Sequence, residues 1–106
     1  MKVKVSELTG PALDWTVAGA EGNYSIFYDC GYGEIWAPST DWAQGGPIIS
    51  RERISIRHWI NVPVVHAYMP DSDWSSDGDS ALVAAMRCYV SSKLGDEVEV
   101  PDGLTS

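Results

Sequence analysis

Basic residues are scarce in this sequence. It has 7 Lys and Arg against 15 Asp and Glu, so its formal net charge is -8 and its pI is near 4.4. Because binding to a nucleic-acid backbone depends on clustered Lys and Arg, direct DNA binding is not expected. The acidity is typical of a solvated surface, and it is also compatible with a nucleic-acid mimic that presents carboxylates to a DNA-binding protein.

Long apolar runs and paired cysteines are missing too. No run approaches the roughly 20 apolar residues that span a bilayer, and residues 1–5 lack the apolar character of a signal peptide. We therefore expect a cytoplasmic protein that binds no membrane. Cys30 and Cys88 form no C-x-x-C site, which predicts free thiols, with Cys88 buried in a helix.

Motifs of catalysis and metal binding are also lacking. The sequence contains no G-x-S-x-G, P-loop or H-E-x-x-H motif, and His58 and His66 have no partner histidine close in sequence. The acidic loop at residues 70–79 has Ser76 where a calcium loop needs Gly, and Leu82 stands where it needs a bidentate Glu. We therefore expect no enzymatic activity, no metal and no cofactor.

The residues that are present are sufficient for a packed core. Of 106 residues, 44% are hydrophobic, and these include 5 Trp and 5 Tyr. We predict a single α+β domain over residues 1–106, with an antiparallel meander of about four strands, an N-terminal helix and a C-terminal helix. Residues 102–106 are expected to form a frayed tail.

Two segments have helical periodicity. Pro11 in a first turn predicts a helix that runs to about Ala20. Apolar residues at steps of three and four predict a second helix from Ala81 to about Leu94, and Gly95 follows as its stop. Short strands are predicted at residues 2–5 and 96–100.

The other strands are predicted from alternation. Residues 24–37 suggest two strands joined by a glycine turn. A further strand is expected from Arg51 to Arg57. Pro63 then separates two extended segments, at a turn or sheet edge that leaves room for a homodimer.

The most distinctive stretch is residues 37–57. Ser39 or Thr40 is expected to cap a short turn of helix that begins at Asp41, because their hydroxyls can accept the first free amides. The cap would hold Trp42 in a fixed direction. This stretch is therefore predicted to be a binding loop.

A glycine-glycine-proline sequence follows at residues 45–47. Glycine permits close approach of another group to the backbone and proline stops a helix, so a sharp bend is predicted here. In the strand that follows, Arg51, Arg53 and Arg57 would share one face. They would place basic groups beside the loop.

The predicted site combines backbone amides and guanidinium groups, which suit phosphate oxygens, with indole rings that can stack on a base. Its candidate residues are Trp36, Ser39, Thr40, Trp42, Gln44, Gly45, Gly46, Arg51, Arg53 and Arg57. Two simpler interpretations remain open. The arginines can form a solvated face paired with acids such as Glu52, and Trp42 can be a core residue.

Three blocks of the sequence resemble the NinX-like family of tailed-phage accessory proteins. They are Met1–Gly10 with Ala12–Trp15, then Pro38–Ile49, and then Ala84–Val90 with Lys93–Val98. The resemblance implies a phage or prophage origin and a bacterial cytoplasm. It implies no particular chemistry.

These observations favour a protein that acts by stoichiometric binding of a small anionic, nucleotide-type ligand, for example to sequester a host immune signal. The alternative is an acidic protein-protein interaction module or nucleic-acid mimic that inhibits a host protein. Aromatic anchors would carry most of the affinity in that case, and rim charges would set the encounter rate.

Overall fold

The computed structural model describes residues 2–28, 35–70 and 72–104. These residues form four α-helices and five β-strands. The helices are α1 (Gly10–Ala20), α2 (Ser25–Tyr28), α3 (Trp42–Glu52) and α4 (Ala81–Leu94). The strands are β1 (Lys2–Lys4), β2 (Ser55–His58), β3 (Val65–Tyr68), β4 (Ser75–Gly78) and β5 (Glu97–Glu99).

The strands form two antiparallel sheets, β1 with β5, and a meander in the order β2-β3-β4. The predicted α+β fold class is thereby confirmed. The N-terminal and C-terminal helices also have the predicted bounds, as α1 and α4. The predicted terminal strands are β1 and β5, whose central residues Val3 and Val98 lie opposite each other.

Helix α4 lies at the centre of the core. Its residues Met86, Cys88 and Val90 are fully buried, and they pack with Leu13 and Val17 of α1. The helix begins at Ser80, whose hydroxyl accepts the Val83 amide at 3.2 Å, and it ends before Gly95 in a left-handed backbone conformation (φ 92°). Sequence periodicity located this helix because most of its apolar residues are buried.

The predicted strand at residues 24–28 is wrong, because Ser25–Tyr28 is the helical turn α2. The side-chain oxygen of Asn23 accepts hydrogen bonds from the Ser25 amide, at 3.0 Å, and from the Ser25 hydroxyl. This local turn starts helical geometry before an extended strand can pair. Tyr24 stacks on Trp15 of α1 at 4.2 Å.

The second predicted strand of that pair is also wrong within the described residues. Residues 35–37 have no regular secondary structure. The glycine turn at residues 31–33 and Cys30 lie outside the described residues.

The predicted bend at residues 45–47 does not occur. Helix α3 continues through Gly45, Gly46 and Pro47 to Glu52. Proline costs this helix one amide donor, but the residue before it is glycine, which has no Cβ to clash with the proline ring. The helix is also capped by Asp41, whose carboxylate accepts the Ala43 amide at 2.9 Å. Neither Ser39 nor Thr40 is the cap, so that prediction is wrong as well.

Helix α3 ends at Arg53, which has left-handed backbone angles (φ 55°, ψ 44°). The next amide, that of Ile54, bonds back to the Ile49 carbonyl at 3.0 Å, as in a Schellman motif, and the Ile54 side chain is buried. The predicted strand from Arg51 is therefore wrong at its start, since β2 begins at Ser55. Glycine usually occupies such a left-handed position after a helix. Because Arg53 stands there, the sequence contained no signal for the end of α3.

The three-stranded sheet extends into the predicted acidic loop, where Ser75–Gly78 forms β4. At the C-terminus, residues 102–104 form a 3-10 turn, with Leu104 packed against the core. Residues 105 and 106 lie outside the described part of the chain. Among the described helices, none has the length and apolar character needed to cross a membrane.

Candidate functional site

The predicted site residues around the start of α3 mostly bind other parts of the same chain. The Trp36 indole donates to the Asp14 carbonyl at 2.9 Å. The Gln44 side chain accepts from the Ala37 amide and donates to the Ile35 carbonyl at 2.7 Å. These contacts hold residues 35–37 against α1 and α3, so both polar groups serve the fold.

Ser39 and Asp14 form a buried pair. The Ser39 amide donates to Asp14 Oδ1 at 2.9 Å, and both residues are at most 5% exposed. Burial raises the pKa of the Asp14 carboxyl above 3.8, and the hydrogen bonding to Ser39 opposes this shift. Ser39 therefore anchors the loop before α3 to α1.

The sequence predicted that a ligand would approach the backbone closely at Gly45 and Gly46. At Gly45 the groups that do so belong to the protein itself. A Cβ at Gly45 would lie 2.4 Å from the Pro38 carbonyl oxygen and 2.6 Å from Leu82 Cδ2. Gly45 thus lets α3 pack closely on α4 and on the preceding loop. A Cβ at Gly46 would meet only Trp42, at an ordinary contact distance of 3.9 Å.

Two members of this group remain exposed. Trp42 is 58% exposed, which rules out the interpretation of Trp42 as a core residue. Thr40 and Trp42 border a cavity of about 300 Å³, together with Ser80, Leu82 and Val83 at the start of α4. The N-terminal ends of α3 and α4 therefore meet at this cavity. Their N-cap side chains, Asp41 and Ser80, already accept hydrogen bonds from amides of the first turns.

The three predicted arginines do not share one face. Arg51 lies in the last turn of α3, where its guanidinium bonds to Glu21 and to Glu52, both at 2.9 Å, and to the Tyr89 hydroxyl at 3.2 Å. The hydrogen bonds to Glu21 and then Glu52 raise the pKa of Arg51. The interpretation of a paired arginine is thus correct for Arg51.

Arg57 has a different environment, on the face of the β2-β3-β4 sheet that is turned away from α4. We call this the outer sheet face; it consists of Ser55, Arg57, His66, Tyr68, Ser75 and Asp77. Their strand neighbours Val65, Ala67 and Gly78 are buried against the core. Alternation along each strand therefore leaves the six residues on the solvent side.

Aromatic rings surround Arg57 on this face. Its guanidinium carbon lies 5.3 Å from the Trp59 ring centroid and 5.8 Å from that of Tyr68. Both distances are within the range of cation–π contact. In the described part of the chain, no carboxylate is within salt-bridge distance of Arg57, and a shallow cavity of about 300 Å³ lies over Arg57, His66 and Tyr68.

His66 completes the row across the sheet. Its ring stacks on Tyr68 at 5.8 Å, and its Nδ1 lies 2.7 Å from Asp77 Oδ1. Sequence reasoning treated His66 as lacking a partner and did not select Trp59 or Tyr68. Arg57, His66 and Asp77 are far apart in the sequence. The strand register brings them together, because it sets Arg57 opposite His66 and His66 opposite Asp77.

Comparison with known proteins agrees with the resemblance. The family described as bacteriophage P22 NinX matches residues 4–93. The chain belongs to the NinX family. No curated protein matches it. The matched range of this NinX-family chain includes every residue of the outer sheet face as well as α3.

Other candidate chemistry in the NinX-family chain is limited. Cys88 is free and buried, and burial raises the pKa of its thiol to about 11, so it is not a reactive thiolate at neutral pH. Among residues 2–28, 35–70 and 72–104, no three His, Cys, Asp or Glu side chains are grouped to hold a metal ion. The outer sheet face is the best candidate site.

Proposed function

We propose that this NinX-family protein acts stoichiometrically by binding a small anionic, nucleotide-type ligand on the outer sheet face. The supporting observation is Arg57, an exposed guanidinium that is bordered by the Trp59 and Tyr68 rings and is not neutralised by a neighbouring carboxylate in the described residues. In a chain with 15 acidic residues, an arginine that has no carboxylate partner among the described residues and lies at an aromatic cluster is well suited to attract an anion.

The chemistry of the cluster matches a nucleotide in two respects. Arginine presents a planar set of donors that can bind two phosphate oxygens at once. Trp59, which is 50% exposed, offers an open ring on which a base can stack. His66, held by Asp77, adds a polar group beside Tyr68 that can bond to a sugar or base.

The proposed site differs from the predicted one in its members. Arg57 is retained, whereas Arg51 is neutralised by Glu21 and Glu52, and the Gly45 backbone is covered by Pro38 and Leu82. Trp42 and Thr40 remain available at a separate cavity. Trp59, Tyr68 and His66 are new members.

We propose binding without chemical conversion. A hydrolytic site would require a nucleophile next to the His66–Asp77 pair. Among the described residues, neither a serine hydroxyl nor a thiol is hydrogen-bonded to His66. We therefore assign binding, and no chemical conversion, to this face.

In the cell, a phage protein of this kind would act in the bacterial cytoplasm, where it would withdraw a nucleotide signal from a host defence system. Its overall charge of -8 disfavours direct binding to DNA, so the ligand is proposed to be small. Stoichiometric binding requires that the protein be made in amounts comparable to the signal.

A second candidate is an acidic module that binds and inhibits a host protein. It is favoured by the loop between β2 and β3, where Trp59, Ile60, Val62 and Val64 are exposed, with Ile60 at 89%. A cluster of exposed apolar residues is typical of protein contact sites. Trp59 belongs to both candidate surfaces, so its substitution does not separate the two functions.

The deciding experiment compares Arg57→Ala with Arg53→Ala. Both remove one exposed positive charge, but Arg53 lies at the end of α3, away from the aromatic cluster. Each protein is purified from infected cells and heated, and the supernatant is examined by mass spectrometry. Each is also titrated by calorimetry with a panel of mononucleotides and cyclic dinucleotides.

We expect a nucleotide to be released by the wild type and by Arg53→Ala, and at least about tenfold weaker binding by Arg57→Ala, because a charge-assisted phosphate contact is lost. Equal binding by the two variants would overturn the site. Absence of any nucleotide in both measurements, together with capture of a host protein that survives Arg57→Ala, would favour the second candidate.

A further inference from the structure

The strand β4 has a free edge. In the meander β2-β3-β4 it pairs with β3 on one side, and among the described residues no strand pairs with it on the other. Exposed edges are commonly protected by short strands, by charged side chains, by proline, by a bulge or by a covering element. The strand β4, Ser-Ser-Asp-Gly, is short and carries Asp77, whose carbonyl accepts from Arg87, but it contains neither proline nor lysine, so its edge is only partly protected.

The register determines which backbone groups point off this edge. The Met69 amide bonds to the Trp74 carbonyl at 3.0 Å, so these two residues form a hydrogen-bonded pair. Because such pairs alternate along an antiparallel ladder, Ser76 and Gly78 bond to β3, whereas Ser75 and Asp77 direct their amides and carbonyls away from it. Arg87 contacts the Asp77 carbonyl at 2.7 Å, which agrees with that direction.

A groove lies along the free edge. It consists of two adjoining cavities, of about 390 and 410 Å³, which share Ser6, Ser75 and Ser76. The wall facing β4 comes from Lys4, Ser6, Asp96 and Glu97, and α4 contributes Arg87 and Ser91. We call it the β4-edge groove. It runs between the two sheets of the protein.

The charges of the β4-edge groove are mainly negative. Its lining residues include four acids, Asp77, Asp79, Asp96 and Glu97, against Lys4, Arg87 and His66, and the Asp77 carboxylate is hydrogen-bonded to the His66 ring. Arg87 already donates to two backbone carbonyls, those of Leu8 at 2.8 Å and Asp77 at 2.7 Å. An occupant with basic side chains is therefore complementary to this groove.

We propose that the β4-edge groove binds an extended, lysine- or arginine-bearing segment of a partner protein, which adds to β4 as a further strand. Main-chain hydrogen bonds to the amide and carbonyl of Ser75 and to the Asp77 amide supply the affinity, since the Asp77 carbonyl already accepts from Arg87, and the acidic lining selects basic side chains. A second copy of this chain is a poorer occupant, because each copy carries a net charge of -8. This groove adjoins the outer sheet face and shares His66, Ser75 and Asp77 with it, but it does not include Arg57 or Tyr68.

The test uses Ser75→Pro and Ser75→Ala. Proline removes the outward amide of Ser75 without removing a hydrogen bond between β3 and β4, whereas alanine keeps that amide. The probes are two mixtures of peptides of about seven residues, with interior positions drawn from Ser, Thr and Val, and with either Lys or Glu at both ends. Retention on immobilised protein is measured by mass spectrometry.

We expect the wild type and Ser75→Ala to retain the Lys-ended mixture over the Glu-ended one, and Ser75→Pro to retain about tenfold less of it. Equal retention of the two mixtures, or no loss in Ser75→Pro, would overturn the proposal. Sedimentation of the proteins without peptide tests whether a second copy of the chain occupies the groove. A dimer of the wild type that is absent in Ser75→Pro would assign the β4 edge to a second copy and would also overturn the proposal.

Hydrogen exchange on the wild type keeps the proposal testable if Ser75→Pro does not fold. Addition of the Lys-ended mixture should slow exchange of the Ser75 and Asp77 amides, which point into the groove. The Ser76 amide, which already bonds to β3, serves as the internal control. Unchanged exchange at Ser75 and Asp77 would contradict strand addition.

Discussion

The α3 region and the outer sheet face contain the same kinds of residue, but they use them differently. In the α3 region Arg51 binds Glu21 and Glu52, and the Trp36 indole binds a backbone carbonyl. On the outer sheet face Arg57 is bordered by the Trp59 and Tyr68 rings and, as far as the structure describes the chain, by no carboxylate, and Trp59 is half exposed. Residue type alone therefore does not identify a binding site. The partners that the fold supplies to each arginine distinguish Arg51 from Arg57.

Gly45→Ala should have the largest effect on stability. The added Cβ would lie 2.4 Å from a backbone oxygen of Pro38, which cannot move aside as a flexible side chain would. We expect a loss of about 2–3 kcal/mol in the free energy of unfolding, measured by urea denaturation. The control Gly46→Ala should change stability by less than about 1 kcal/mol, because its Cβ has space and its helix preference is opposed by the proline that follows.

A loss of stability in Gly46→Ala as large as that in Gly45→Ala would contradict this account. It would mean that α3 tolerates no added side chain near Pro47, and not that Gly45 packs closely against the preceding loop. Helix geometry, and not the packing of Gly45, would then determine which residues α3 tolerates.

Asp14→Asn should change the free energy of unfolding by an intermediate amount, and this change should depend on pH. Burial raises the folded-state pKa of Asp14, so its contribution to stability is fully present below pH 3.8 and is lost as the pH rises through the folded-state pKa. Asparagine can still accept the Ser39 amide and does not ionise. We therefore expect the variant to be more stable than the wild type at pH 7.

Thermal unfolding of both proteins between pH 3 and pH 8 checks this expectation. The gap between the variant and the wild type should narrow as the pH falls toward 3.8, the ordinary pKa of an aspartic carboxyl. The two proteins differ only at residue 14, so the difference between them isolates the contribution of Asp14. A gap that stays constant over this range would contradict a raised pKa at Asp14.

The smallest effects are expected from the two arginines, and they test the comparison directly. Arg51→Ala should lower the free energy of unfolding by about 1 kcal/mol, because the guanidinium is half exposed and solvent weakens its ion pairs. Arg57→Ala should lower it by about 0.5 kcal/mol, the contribution of an exposed cation–π contact. A double-mutant cycle of Arg51 with Glu21 should show coupling, whereas Arg57 with Glu21 should show none.

The opposite ranking would reverse the assignment of roles. If Arg57→Ala cost more stability than Arg51→Ala, the aromatic cluster around Arg57 would be a structural unit and not an open site. The same urea denaturation assay decides the matter.

Sequence patterns predicted the elements whose order depends on local spacing. Helices α1 and α4 were found because their apolar residues recur at helical steps and are buried as those steps require. The end of α3 was missed because Arg53 takes a left-handed conformation that glycine would have marked. Helix α2 was missed because the Asn23 turn precedes residues that also alternate as a strand would.

The sequence by itself determined the acidic charge, the two main helices, the terminal strands and membership of the NinX family. Each depends on composition, local periodicity or similarity along the chain. Only the tertiary structure decided that Arg51 is neutralised by Glu21, and that Arg57, His66 and Asp77 form one row with Tyr68 beside it. Such contacts join residues that are distant in the chain, and they follow from strand register and helix packing, which no local pattern specifies.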